Sequence, residues 1–440
     1  MSTTNEPKTA KQPGSANTLR MVVFTILLGA FAGAVVWCFL KAVSACTGLF
    51  WGTIPERTGT KLLLLPICAA GGALAGLLHK RFGNYPEELN VVMEKVKRDR
   101  YYPYHPMFIM LLCAFLPLVL GASVGPEAGL TGIIAGLCYW VGDNVTFAKQ
   151  NAAWFSELGE AVTLGQLFHA PLFGILAVEE EPQTADEASG EGKISDAVRP
   201  LTKPMKLLFY GISTAAGFLT AHILSGLFGE AMEGFPSFPE VSIGTADYAL
   251  LLLYIPVGLL LCVAFEKAEQ LSEKAAGLVP DIARETICGI LIAVMSLFLP
   301  IVLFSGEEQM ADLMKEYGEY SAVFLIVVCI VKLILTAFCI RFGLKGGHFF
   351  PVIFACACMG YGIAMLIFAE PAQHLVFAAA VVAASMLGAQ MKKPLAVSVL
   401  LLICFPARIL FWIFFSALIS GQISAAFLRR KSSRRMQEAD

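Results

Sequence analysis

Two stretches decide how this chain folds: Gly121-Ala122-Ser123-Val124-Gly125-Pro126 and Gly346-Gly347-His348-Phe349-Phe350-Pro351. Each sets glycines and a proline directly ahead of an apolar run. Proline favours the first turn of a helix, where its missing N–H is no loss. Glycines just before it let the backbone bend tightly and approach a ligand. The pair therefore predicts two helices that begin inside the protein and aim unpaired N–H groups and positive dipole ends at one point. That is an anion site built without a formal positive charge. Close packing is the competing reading, because Gly29/Gly33, Gly72/Gly76, Gly121/Gly125 and Gly132/Gly136 all form small-xxx-small patterns.

Working outward, the two stretches belong to a longer repeat. Ala170-Pro171-Leu172 follows the first and Lys393-Pro394-Leu395 the second, with 45 residues from Pro126 to Pro171 and 43 from Pro351 to Pro394. A weaker echo pairs Gly83-Asn84-Tyr85-Pro86-Glu87-Glu88 with Ser305-Gly306-Glu307-Glu308. The repeat predicts two halves, residues 20–181 and 204–428, joined by a flexible acidic connector over 182–203. Residues 1–19 read as a disordered cytosolic tail and 429–440 as a basic one.

The surroundings are those of a membrane. Of 440 residues, 57% are hydrophobic and 15% charged, against about 25% charged in a soluble globular chain. A net charge of −2 gives no footing to nucleic-acid binding. Uncharged runs long enough to cross a bilayer cover Met21–Leu40, Leu62–Leu78, Pro106–Gly125, Leu207–Phe228, Ala249–Phe265, Thr286–Gly306 and Ile409–Leu428. Ser321–Ile340 joins them with one charge, Lys332, near its middle. Ala128–Val141, Ala152–Val178, Phe349–Ala369 and His374–Ala389 are shorter or broken, the pattern from which transporters build midplane sites. Basic residues crowd residues 80–100 and follow Leu428, while Glu230–Tyr248 has none, so both termini are expected in the cytosol. The 12 cysteines lie in or beside apolar runs and read as small buried hydrophobes.

At these residues the chain resembles the CLC family of chloride channels and proton-coupled chloride transporters, in order, from Leu19 to Leu428. Gly347-His348-Phe349-Phe350-Pro351 matches the family's GxFxP motif, and Val124-Gly125-Pro126 falls on the end of its GREGP motif. Ala170-Pro171-Leu172-Phe173-Gly174-Ile175-Leu176, ending in Glu179–Glu181, matches APLAGILF…EE, and Lys393-Pro394-Leu395 its second-half counterpart. The resemblance implies an all-α polytopic membrane protein with an inverted-topology repeat of broken and tilted helices. It also implies a homodimer in the cell membrane with one pore per subunit. Three positions depart from the family pattern. Gly83 stands at the serine of GSGIP, Val124 at the gating glutamate, and no tyrosine follows Tyr361 to line the pore.

With those side chains gone, anion coordination is expected from backbone N–H groups at Gly83, Val124, Gly125, His348, Phe349 and Phe350. Glu127, directly after Gly-Pro, reads either as a first-turn carboxylate favouring the helix dipole or as a protonatable gate displaced from position 124. Glu157 and Glu160, one helical turn apart in an apolar segment, are candidates for a proton path. Glu181 aligns with the family's internal proton acceptor and also opens the acidic loop. Lys332 is expected to pair with a carboxylate or a helix end, or else to raise the potential along the pore. The histidines lack ligand spacing and GxxxxGK[ST] does not occur, so no metal, cofactor or enzymatic activity is proposed. The expected function is transport of a small anion, chloride foremost, and with valine at the gate position passive conduction. Proton-coupled antiport through Glu127 or Glu157/Glu160, and a non-conducting scaffold that keeps only the fold, stay open.

Overall fold

The prolines and glycines of the repeat punctuate a helical chain at the expected places. The computed structural model describes residues 15–87, 91–92, 95, 99, 102–144, 152–167, 170–179, 203–230, 236–241 and 243–437. The first half runs through α1 (Ser15–Thr47), a π-helical turn (Gly48–Thr53) and α2 (Ile54–Thr58). It continues with α3 (Leu64–Phe82), α4 (Met107–Val119), α5 (Glu127–Asn144), α6 (Ala152–Leu167), α7 (Pro171–Glu179) and α8 (Lys203–Phe228). The second half has α9 (Thr245–Ala276), α10 (Asp281–Phe298), α11 (Glu307–Glu316) and α12 (Ala322–Arg341). It closes with α13 (Phe349–Ile367), α14 (Leu375–Met391), α15 (Pro394–Leu401) and α16 (Leu410–Gln437).

The halves repeat one packing scheme. In the first, α6 packs against α1, α5 and α8; in the second, α14 packs against α9, α13 and α16. The strongest tie between halves is α3 on α10, where glycines let backbones touch. A methyl at Gly72 would lie 2.2 Å from the Glu285 carbonyl oxygen, and one at Gly289 2.1 Å from that of Cys68. Gly29 and Gly33 do the same for α1 on α8, against Ser213 and Gly217. Close packing thus accounts for these two small-xxx-small pairs. The core is deepest along α13 and α14, whose residues are almost all buried.

Several boundaries differ from those the sequence suggested. The 1–19 tail gives way to helix at Ser15, since nothing between Ser15 and the apolar run breaks a helix. At the other end α16 continues through the basic residues 429–437, because Arg and Lys are good helix formers. Pro106–Gly125 is not one span: α4 has 13 residues and ends where Gly121, at φ 79°, turns the chain. Conversely Phe349–Ile367 is one unbroken helix, long and apolar enough to cross a bilayer. The connector 182–202 and Glu181 lie outside the described residues.

Candidate functional site

The two glycine-proline stretches meet. The N–H of Gly125 donates to the carbonyl of Gly347, and the N–H of Gly347 donates back to the carbonyl of Gly125, both at 2.8 Å. This two-way seam sets the start of α5 against the start of α13, one from each half. Ser123 Oγ and Thr336 Oγ1, both fully buried and 2.8 Å apart, fasten the first stretch to α12.

At the seam sits a carboxylate. Glu127, 1% exposed, accepts the N–H of Phe349 on Oε1 at 3.1 Å. Its Oε2 is buried with no hydrogen-bond partner. The side chain occupies the space that two missing Cβ atoms leave open. A methyl at Gly347 would stand 1.7 Å from its Cδ, and one at Gly125 2.1 Å from its Oε2. A negative group therefore does lie at a helix N-terminus, as the backbone chemistry favours, and the chain supplies it itself.

Most of the expected donors are engaged with partners inside the protein. The N–H of Gly125 is spent on the seam, that of Val124 donates to the Ala122 carbonyl at 2.8 Å, and that of Phe349 holds Glu127. Gly83 is exposed at the end of α3 and its N–H donates to the His79 carbonyl at 3.0 Å, so it brings no donor to the seam. His348 caps α13, with its ring against those of Phe265 and Phe349. Phe350 is buried with its ring against Gly125.

Lys332, fully buried, donates to the carbonyls of Val302, Leu303 and Phe304 at 3.1, 3.0 and 2.6 Å, and its ammonium lies 5.6 Å from the centre of the Phe354 ring. Its charge is thus held on the peptide oxygens that follow α10. Glu157 accepts the Tyr210 hydroxyl at 2.9 Å and faces Lys206 at 3.9 Å, so it turns to α8 and not to the seam. Glu160 is fully buried and accepts from Ser156 at 3.2 Å.

Val124 is buried and helps line a cavity of about 340 Å³ beside the C-terminal end of α1, together with Pro126, Trp51, Phe304, Glu307 and Glu308. Trp51 donates to the Val119 carbonyl at 2.9 Å and meets Phe304 edge-on. Glu307 is the residue the sequence reading passed over. It stands in the echo Ser305-Gly306-Glu307-Glu308, where the sequence pattern marks the repeat and nothing singles out the carboxylate. A second buried pair was also missed: His79 bridges Glu285 (3.1 Å) and the Tyr85 carbonyl (2.6 Å), tying the Gly83–Pro86 loop to α10.

A family described as voltage gated chloride channel matches residues 71–425. The chain belongs to the CLC family. It is 26% identical over 367 residues to chloride channel protein CLC-e of Arabidopsis thaliana, covering 76% of this chain and 48% of that one. The chain thus spans about half the length of that curated relative. Among solved structures, a slow cyanobacterial Cl⁻/H⁺ antiporter matches with a TM-score of 0.73 at 18% identity, over 96% of this chain and 99% of the other. A CLC-type fluoride/proton antiporter matches with a TM-score of 0.71, also at 18% identity, over 94% and 97%. At that identity the structural matches establish the all-helical CLC fold. The protein is a multi-pass membrane protein of an anion-transport family.

Proposed function

We propose that each chain moves a small anion, chloride foremost, past the Gly125–Gly347 seam, with the Glu127 carboxylate as the gate. The observation that carries this reading is the seat of Glu127: Oε1 on the Phe349 N–H, Oε2 unpaired. A hydrogen bond to a charged group is worth about 1.5–3 kcal/mol. An anion and the carboxylate compete for that one donor, so transport requires the side chain to leave. A proton that neutralises the carboxylate removes its claim on the helix end, and the departing side chain carries the proton with it. Anion and proton movement are thereby linked, which favours exchange over the passive conduction that Val124 alone suggested. The two structural neighbours named as proton antiporters support the same choice.

The arrangement of charges supports a cytosolic placement of both termini. The 340 Å³ cavity, at the far end of α1, then opens to the outside. A homodimer with a pathway in each chain is the family's assembly and is part of the proposal. Passive conduction remains as a second reading on one observation, the uncharged Val124 on the cavity wall.

The test compares wild type with Glu127→Gln in liposomes under a chloride gradient, following chloride and pH together. Wild type should drive protons uphill, and Glu127→Gln should abolish proton movement while anions still pass. Equal anion efflux from both, with no proton movement in either, would return the assignment to passive conduction.

A further inference from the structure

We infer that Glu307 is the carboxylate through which protons from the cavity reach Glu127. The inference rests on Glu127 being the gate, and names the proton route to it. Glu127 is dry: it is 1% exposed and does not line the cavity, although its chain neighbours Val124 and Pro126 do. Something else must present protons to its unpaired Oε2. Glu307 meets the requirements. It lines the cavity, so water reaches it, yet it is only 7% exposed. Its carboxylate has no hydrogen-bond donor among the described residues. It shares the cavity wall with Val124 and Pro126, which flank Gly125 just ahead of Glu127 in the chain, and the two carboxylates feel each other's charge. The other titratable groups near it are Glu308, exposed beside it on α11, the buried Cys404 thiol, and Lys332 of α12, whose ammonium sits on the Phe304 carbonyl three residues before it.

The placement of Glu307 is over-determined by the surrounding packing. Lys332 pins the three carbonyls just before α11, and Gly306 rests on Phe354 of α13, where a methyl would stand 2.7 Å from the phenylalanine Cβ. The helix that carries Glu307 is therefore fixed to the helix whose first turn holds Glu127. In the step itself Glu307, protonated from cavity water, gives its proton to the Glu127 carboxylate. Glu127 becomes a neutral acid and leaves the Phe349 N–H, and Glu307, now ionised, takes the next proton from the cavity. The stabilising effect of a carboxylate in the first turn of α11 explains tolerance of Glu307 there, but not its burial without a partner.

The experiment uses the full chain in liposomes, with initial rates of proton and chloride movement in wild type, Glu307→Gln, Glu307→His and Glu127→Gln. Glu307→Gln should slow proton movement by roughly a hundredfold, the lower end of what a positioned proton donor contributes, and lower the proton-to-chloride ratio. Glu307→His keeps a titratable group of different range, so proton movement should persist with its pH profile displaced. That variant decides the matter if Glu307→Gln aggregates on gel filtration. A wild-type rate and ratio in Glu307→Gln, or a wild-type pH profile in Glu307→His, would overturn the route. If Glu127→Gln abolishes coupling in the same series, the gate survives that outcome. Proton movement that persists in Glu127→Gln would overturn gate and route together.

Discussion

Adding one methyl group at Gly347 should unseat the gate. The added carbon would stand 1.7 Å from Cδ and 1.9 Å from Oε1 of Glu127, whereas carbon atoms pack at about 3.5–4.0 Å. The carboxyl group must therefore retreat by about 2 Å, too far to keep its bond to the Phe349 N–H. It is the mobile end of a flexible side chain, and the three nearest atoms to the new methyl all belong to it. The φ of Gly347 lies outside the left-handed region, so alanine fits the backbone and the fold should persist. The lost interaction, about 1.5–3 kcal/mol, lowers the seated population roughly 10- to 150-fold at 1.4 kcal/mol per decade. Gly347→Ala should accordingly raise anion efflux from liposomes and lower the number of protons moved per anion. If the purified variant shows wild-type efflux and wild-type coupling, the seat of Glu127 does not control transport.

Two further substitutions probe what surrounds the gate. Lys332→Met removes the donor from the Val302, Leu303 and Phe304 carbonyls; with each orphaned carbonyl costing about 1–3 kcal/mol, the detergent-solubilised protein should melt markedly lower, and an unchanged Tm would show that water serves those oxygens equally well. Gly83→Ser restores the hydroxyl of the family motif but places a side chain at φ 109°, a strain of about 1–3 kcal/mol. It should lower Tm without tightening halide binding by calorimetry, and a gain in affinity would put Gly83 back in the anion site.

How much of this was legible before the structure depends on how far apart the interacting residues lie. Helix starts at Pro171 and Pro394 and the paired starts near Pro126 and Pro351 are local, set by a proline and its neighbouring glycines, and the sequence carries them openly. The meeting of those starts followed from the repeat. Which group would fill the site did not, because the bond that seats Glu127 links residues 222 positions apart. The same reason hid the partners of Lys332, whose three carbonyls belong to the short 3-10 turn and bend that follow α10. Gly83 misled differently: motif alignment supplied a position, but its positive φ and spent N–H are properties of the turn that ends α3. Glu307 was visible as a letter in a weak repeat and acquires chemical meaning only from the cavity beside it.

The seam of Gly125 and Gly347 also bears on how the protein moves. Each half gives one donor and takes one acceptor there, so drawing the halves apart would break both bonds at once, at about 0.5–1.5 kcal/mol each. Many transporters alternate access by rocking one repeat against the other around a fixed site. Here the repeats are hydrogen-bonded to each other at the site itself, and with Glu127 as the proposed gate they would serve as a stator. On the proposed role of Glu127, the working stroke would be the rotation of a single side chain about its own bonds, and the turnover number would follow the pace of that small rotor against a stationary frame.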